Sequence, residues 1–501
     1  MQDQRELSAK FIGICGMSIV FFISMSFACR LWNPDSDTYW LISTGKWIVE
    51  NKGVPFVNPW NVNEDLAIIV QQPLCAVLNY LFYSACGIGQ MWILAVLENI
   101  LLLLVSFFCV KQFGYSRSIK DSETFFIVAE TILAACGLIT TRPYQLTIGN
   151  MMLLLCVFNF YKKSNKYFLS LFLVAVITLF QANYQMASLI AIPCFLSCYF
   201  AEYLIVHFTV KSFKNDKVAK EILKWMGFYF TFAVTSLCNP YGKDGVLYLF
   251  KSKEAISLVK NMIYETKEPT ILSLCNILIW GCFFLCICLK KAGNLNWSYV
   301  LLCAGSCFSS SIAIRNSWML YICVIIGYAK IKSLTDAVQR CSVQKSNHKY
   351  HFPLGLLRFF CLLGCIFACI TFIKTCFISK ESNTENLFGE FYNEINELPK
   401  DAKIYTSFNT GGYVEYLGRK CYMDARPELY HPNITKKYNI LEEWYKLEYS
   451  DKTDIDNFIK SHDFSYYFIS KHSCLHTYLK YQNANLLLEN EKFALYEVDR
   501  T

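Results

Sequence analysis

Residues 11–40 read FIGICGMSIVFFISMSFACRLWNPDSDTYW. The part from Phe11 to Cys29 carries no charge. It is long enough to cross a bilayer as a helix, which takes about 17–25 apolar residues. A polar decapeptide precedes it and no small-residue cleavage site follows, so it reads as a retained first span rather than a leader. Just beyond it, Asp35 and Asp37 flank one serine, and Tyr39 and Trp40 follow at once.

The same apolar pattern recurs along the chain. Runs near 74–88, 91–110, 123–141, 146–161, 167–181, 185–207, 225–238, 271–289, 298–313, 317–330 and 354–373 bring the candidates to twelve. Composition agrees, since 54% of the 501 residues are hydrophobic and only 17% are charged. Soluble domains carry about 25% charged residues, and single soluble cores stop growing near ~250–300 residues. Lipid is therefore the solvent this chain is built for. Most of the 24 cysteines, such as Cys282, Cys286 and Cys288, lie within the apolar runs as small hydrophobes. Cys421 and Cys474 fall in a polar region, and spacing does not say whether they pair.

Charge sets the threading, because short basic loops stay in the cytoplasm. The cations cluster at Lys111/Arg117/Lys120, Lys162/Lys163/Lys166, Lys211 to Lys224, Lys290/Lys291 and Lys330 to Lys349. That placement between apolar runs also means that the net charge of +8 is no nucleic-acid signature. With every cluster and the N-terminus inside, each run after residue 111 crosses once. The segment 74–110 must then cross an odd number of times, so 74–88, which follows Pro73, reads as interfacial or re-entrant. About eleven crossings result. The loop 30–72, the turns at Thr141–Gln145 and Gln181–Tyr184, the loop 239–270, the Arg315–Asn316 turn and the C-terminus all fall outside.

Beyond Lys380 the composition turns polar. Short β-rich runs appear at Lys403–Ser407, Tyr413–Leu417, Lys420–Asp424, Ser465–Ser470 and Phe493–Val498, with helical patterns at Thr435–Leu447 and Asp454–Ser461 between them. Alternating strands and helices predict a small α/β domain. The expected organisation is a helical polytopic membrane domain over 1–377, with its first outer loop at 30–72, and an extracytoplasmic α/β domain over 378–501.

Candidate chemistry gathers on the outer side. Asp35 and Asp37 could act as a general base or hold a divalent cation. They could equally cap an interfacial helix anchored by Tyr39 and Trp40. Arg142 precedes Pro143 at the outer end of a span, and Arg315 interrupts the stretch 298–329. Arginines at such depth either line a functional cavity, where their fork suits phosphate, or serve as structural ion pairs. Glu98 and Glu130 lie within apolar runs and read as intramembrane partners of polar groups. In the loop 239–270, Asn239-Pro240-Tyr241-Gly242 is a turn, and Glu265 either meets the first loop or is solvated. Gly411-Gly412 reads as a turn before a strand. Walker loops, dinucleotide glycine fingerprints, HExxH and serine elbows are missing, which disfavours the enzyme classes that carry them.

Taken together, these segments resemble a family. Asp35-Ser-Asp-Thr-Tyr-Trp, the following Gly45-Lys46-Trp47-Ile48 and the exit Pro55-x-x-x-Pro59 resemble the first loop of bacterial multi-spanning proteins related to the GT-C glycosyltransferases. Thr141-Arg142-Pro143, Gln181-Ala182-Asn183-Tyr184, Asn239-Pro-Tyr-Gly with Ile263-x-Glu265, and Met423-Asp424-Ala425-Arg426-Pro427-Glu428 resemble its later motifs, in order. The resemblance implies transfer of a sugar from a polyprenyl-phosphate donor to an envelope acceptor at the outer face of a bacterial cytoplasmic membrane. It implies Asp35 as base, with Asp37 orienting the acceptor or joining Asp35 on Mg²⁺ or Mn²⁺. Arg142, Asn183, Glu265, Arg315 and Arg426 would bind substrate. Gln71-Gln72 stands where the group has histidine and glutamate, and Gln185 where it has histidine. Those losses keep a second reading open: a non-catalytic protein that binds or moves an envelope polysaccharide or lipid-linked sugar.

Overall fold

The computed structural model describes residues 14–24, 36–113, 122–135, 138–209, 216–260, 296–341, 388–436, 438–449 and 452–498, with a few isolated positions besides. Asp35, Glu265 and most of the apolar runs 271–289 and 354–373 lie outside the described residues.

The first part of the chain is helical. α1 (Ile14–Ser24), α2 (Ser36–Asn51), α3 (Pro73–Cys86), α4 (Met91–Gln112), α5 (Ser122–Ala135), α6 (Tyr144–Ser164) and α7 (Tyr167–Tyr184) follow in order. Next come α8 (Ala191–Thr209), α9 (Asp216–Ser236), α10 (Tyr248–Val259), α11 (Trp297–Ile312) and α12 (Trp318–Cys341). Among the described residues, four segments are long and apolar enough to cross a membrane: Ile88–Gln112, Tyr144–Ser164, Tyr167–Tyr184 and Met186–His207. α3 follows Pro73 and has 14 residues. At 1.5 Å per residue it reaches about 21 Å, short of a ~30 Å hydrocarbon core. Leu102, Phe158, Trp225 and Tyr321 belong to the shared core of this bundle.

Several polar groups inside the bundle pair with one another, as a medium without water favours. Asn99 Nδ2 donates to both oxygens of Glu130, each at 3.0 Å, and Ser24 donates to the same carboxylate. The hydroxyl of Tyr184 reaches Glu98 at 3.4 Å. Gln181 links α6 to α7, accepting from Asn150 at 2.9 Å and donating to Thr147 at 3.2 Å.

The C-terminal part builds a four-stranded sheet. β1 (Ile404–Thr406) pairs parallel with β2 (Tyr466–Ser470), which pairs antiparallel with β4 (Phe493–Glu497), and β3 (Asn485–Glu489) closes the edge. The helices α13 (Gly411–Tyr416), α14 (Ile440–Tyr449), α15 (Lys452–Ser461) and α16 (Cys474–Tyr481) pack around it. Cys421 and Cys474 are both free thiols.

Three sequence expectations are corrected here. Tyr413–Leu417 is not a strand: Gly411 and Gly412 open helix α13 instead of forming a turn. A Cβ on Gly411 would run into the Met423 backbone, and one on Gly412 into the Ser36 backbone. The helix then puts Tyr413 and Tyr416, three apart, on one face, with both rings 5.0 Å from Tyr39 of α2. Lys420–Asp424 contributes isolated bridges at Cys421 rather than a strand. β3 went unforeseen, because its face is mostly exposed and lacks the β-branched alternation that marks a half-buried strand.

The first loop is built into the C-terminal sheet. Asn61 bridges to Cys421, which bridges to Ile404 of β1. Cys421 N donates to Trp60 O at 2.7 Å, and Val62 N donates to Cys421 O at 3.1 Å. Trp60, Leu66, Ile68 and Val70 share one apolar cluster with Tyr405, Tyr422 and Tyr430. The segment after α9 joins the same junction, as Tyr241 donates to Pro55 O at 2.7 Å.

Candidate active site at the junction of bundle and C-terminal domain

A cavity of about 860 Å³ opens where α2, the ends of α6 and α8, α10, the α11–α12 turn and the C-terminal domain converge. Each charged wall is held by local structure. Asp37 sits in the first turn of α2, where a carboxylate complements the helix dipole. Its Oδ1 accepts from Trp40 Nε1 at 2.9 Å, and its Oδ2 lies 3.0 Å from Arg142 Nη2. Arg142 arrives on the turn ahead of α6. There Thr140 Oγ1 accepts from the Arg142 N–H at 3.1 Å, and Asn79 of α3 donates to Thr141 O at 3.4 Å. Both side chains of the pair are about a quarter exposed, 23% for Arg142 and 25% for Asp37, so solvent weakens their attraction.

Arg315 lies on the short turn Ile314–Ser317 between α11 and α12. That turn is pinned by Asn316 Nδ2 donating to Ser309 O at 2.9 Å and by Ser310 Oγ donating to Asn316 O at 3.1 Å. It places Arg315 on the cavity wall that Glu428 also lines.

From the C-terminal side, the turn Pro427–Tyr430 carries Glu428 into the same wall. The Glu428 Oε1 accepts from Tyr248 of α10 and from Gln71 Nε2 at 3.2 Å. Burial pushes this carboxyl above its ordinary range, while the Tyr248 hydroxyl and the charge of Arg315 act in the opposite sense.

Arg426 anchors the junction. Its guanidinium donates to both oxygens of Glu415 at 2.7 and 2.8 Å and to Asp424 Oδ2 at 2.5 Å. It lies 4.7 Å from the Trp40 ring and 5.7 Å from the Trp60 ring. Burial alone would push Asp424 up, but the Arg426 charge and the hydrogen bonds from Arg426 and Tyr430 hold it low. Burial drives Glu415 well above its usual range, which Arg426 only partly opposes.

Glu415, Cys421 and Asp424 offer ligand atoms within 4.8 Å of one another, a group that could hold a metal ion. The donor set suits Mg²⁺ or Mn²⁺ poorly, because a thiol is soft for either ion and Arg426 already supplies the positive charge.

Of the residues singled out in the sequence, Asp37, Arg142, Arg315 and Arg426 meet at the cavity. Asp35 lies outside the described residues, next in the chain to Ser36 of the cavity wall. Glu265 is also outside them. Asn183 is not on the wall: its amide donates to Leu179 O at 2.9 Å and Cys238 O at 3.0 Å, tying α7 to the end of α9. Glu428 and Tyr248 were not singled out. Glu428 stands two residues after Arg426 in a quoted motif, but nothing local announces its partners, which come from residues 71 and 248.

Solved structures share this architecture. The oligosaccharyltransferase of Archaeoglobus fulgidus, in its apo form, superposes with a TM-score of 0.54 at 9% identity, over 90% of this chain and 69% of that one. ArnT from Cupriavidus metallidurans, bound to undecaprenyl phosphate, gives 0.52 at 12% identity over 98% of both chains. Its apo structure gives 0.51 at 12% identity, over 96% and 97%. The chain has a GT-C-like fold. No protein-family model matches it, and no curated protein matches its sequence. The GT-C-like fold and the apolar helices together make it a multi-pass membrane protein.

Proposed function

We propose that the chain is a GT-C-like glycosyltransferase that moves a sugar from a polyprenyl-phosphate donor to an envelope acceptor at the outer face of a bacterial cytoplasmic membrane. The observation that carries this reading is the convergence of Asp37, Arg142 and Arg315 on one cavity roofed by the C-terminal domain. The match to a structure holding undecaprenyl phosphate supports it. Sequence alone left those residues free to be scattered structural charges.

In this reading Asp35 takes the proton of the acceptor hydroxyl as the hydroxyl oxygen bonds to the sugar C1. The bond from C1 to the donor phosphate breaks, and the polyprenyl phosphate leaves with the extra negative charge. Arg142 and Arg315 stabilise that charge, which is greater in the transition state than in the bound donor. Asp37 holds Arg142 in place, and a divalent cation at Asp35 and Asp37 would add Lewis-acid stabilisation if one binds. The C-terminal domain and the loop 239–270, with Glu265, lie on the outer side and shape the acceptor entrance.

Asp35→Asn is expected to abolish sugar transfer in isolated membranes, with expression and membrane insertion kept. Transfer at the wild-type rate would remove Asp35 from the mechanism. The non-catalytic alternative has one observation behind it: Gln71, Gln72 and Gln185 put neutral amides on the cavity wall. Binding of lipid-linked sugar without turnover by the wild-type chain would select it.

A further inference from the structure

Glu428 stands out among the cavity groups that the reaction above does not use. It is 7% exposed and still lines the cavity. Both of its side-chain donors, Tyr248 and Gln71, fall on Oε1. Among the described residues, Oε2 receives no side-chain donor. A carboxylate has room for several hydrogen bonds across its two oxygens, and Glu428 brings that capacity to the cavity wall. The arrangement is therefore built to hold one oxygen still and present the other.

The position fixes what would meet it. Arg315 and Glu428 line the same cavity, and the charge of Arg315 opposes the rise that burial gives the Glu428 carboxyl. In the proposed reaction Arg315 holds the donor phosphate, and the sugar is bonded directly to that phosphate. The sugar therefore lies against the wall where Glu428 and Tyr248 sit. A carboxylate accepting from sugar hydroxyls discriminates strongly against a ligand without them, because its own buried oxygen would go unpaired.

We infer that Glu428, held by Tyr248 and Gln71, is the sugar-recognising residue of the donor site, its Oε2 accepting a hydrogen bond from a hydroxyl of the lipid-linked sugar. This rests on the proposed use of a polyprenyl-phosphate donor. It assigns the C-terminal domain a part in choosing the donor sugar, beyond covering the site.

Trp40, Trp318 and Trp444 line the cavity, so intrinsic fluorescence reports on its occupancy in the full-length purified protein. The probes are undecaprenyl phosphate and undecaprenyl phosphate carrying glucose, galactose or N-acetylglucosamine. The wild type is expected to bind at least one sugar-bearing lipid tenfold or more tightly than the sugarless one. Glu428→Ala is expected to shrink that preference to below about twofold. Glu428→Gln keeps the shape and a carbonyl acceptor, and should retain an intermediate preference. A wild-type preference that survives in Glu428→Ala overturns the inference. So does equal loss of affinity for both kinds of lipid, which would mark a purely structural role. If neither kind of lipid binds the wild type, the donor reading itself fails and the inference falls with it.

Discussion

At the scale of single residues, Arg426 does the most to join the two parts of the molecule. It is buried with two carboxylates and covered by Trp40 and Trp60 of the N-terminal part. Removing one partner of a buried ionic group leaves charge with no solvent, a loss of about 3–5 kcal/mol. Arg426→Met is therefore expected to lower the thermal midpoint of the detergent-solubilised protein sharply, and adding Asp424→Asn should recover part of the loss. An unchanged midpoint in Arg426→Met would show that the cluster contributes little. Arg426 was visible in the sequence as a candidate, and its bond to Asp424 is local, with the Arg426 N–H donating to Asp424 Oδ1 at 2.7 Å. Its partnership with Glu415 was not visible, because that contact depends on α13 being a helix. Asp37 and Arg142 were each legible from their place beside a span, whereas their pairing required knowing that the turn before α6 docks on α2 and α3.

At the scale of elements, α13 shows where local pattern misleads. Tyr413, Val414 and Tyr416 suggest a strand, since β-branched and aromatic residues favour one. Tertiary packing wins here. The helix buries two tyrosines on Tyr39 and turns Glu415 toward Arg426, and two glycines let its backbone touch Ser36 and Met423. Gly412→Ala would drive a methyl group into the Ser36 backbone. Overpacking of this kind costs about 1–3 kcal/mol. The expected outcome is faster tryptic cleavage within the C-terminal domain, with the helical bundle still protected. Cleavage at the wild-type rate would show that α13 does not hold the domain onto α2. The four long apolar helices among the described residues were easier to read, because twenty apolar residues in lipid have few alternatives.

At the scale of the whole molecule, the apolar runs and the polar C-terminus were both legible, and the sheet was legible in three of its four strands. The union between the parts was not. A bridge from Asn61 to Cys421 and a core shared by the first loop and residues 405–496 join segments more than three hundred residues apart, and no periodicity encodes such a pairing. That union makes one cavity from helices, loop and domain. It puts Asp37 and Arg142 from the first part on the wall of the same cavity as Glu428 from the last. The central claim, that this cavity consumes a polyprenyl-phosphate sugar, is tested most directly by extracting lipid-linked sugars from cells with and without the protein. One polyprenyl-phosphate sugar is expected to accumulate in cells lacking it and to return to the normal level when the wild-type chain, but not Asp35→Asn, is restored. An unchanged pool of lipid-linked sugars in the deficient cells would contradict the account.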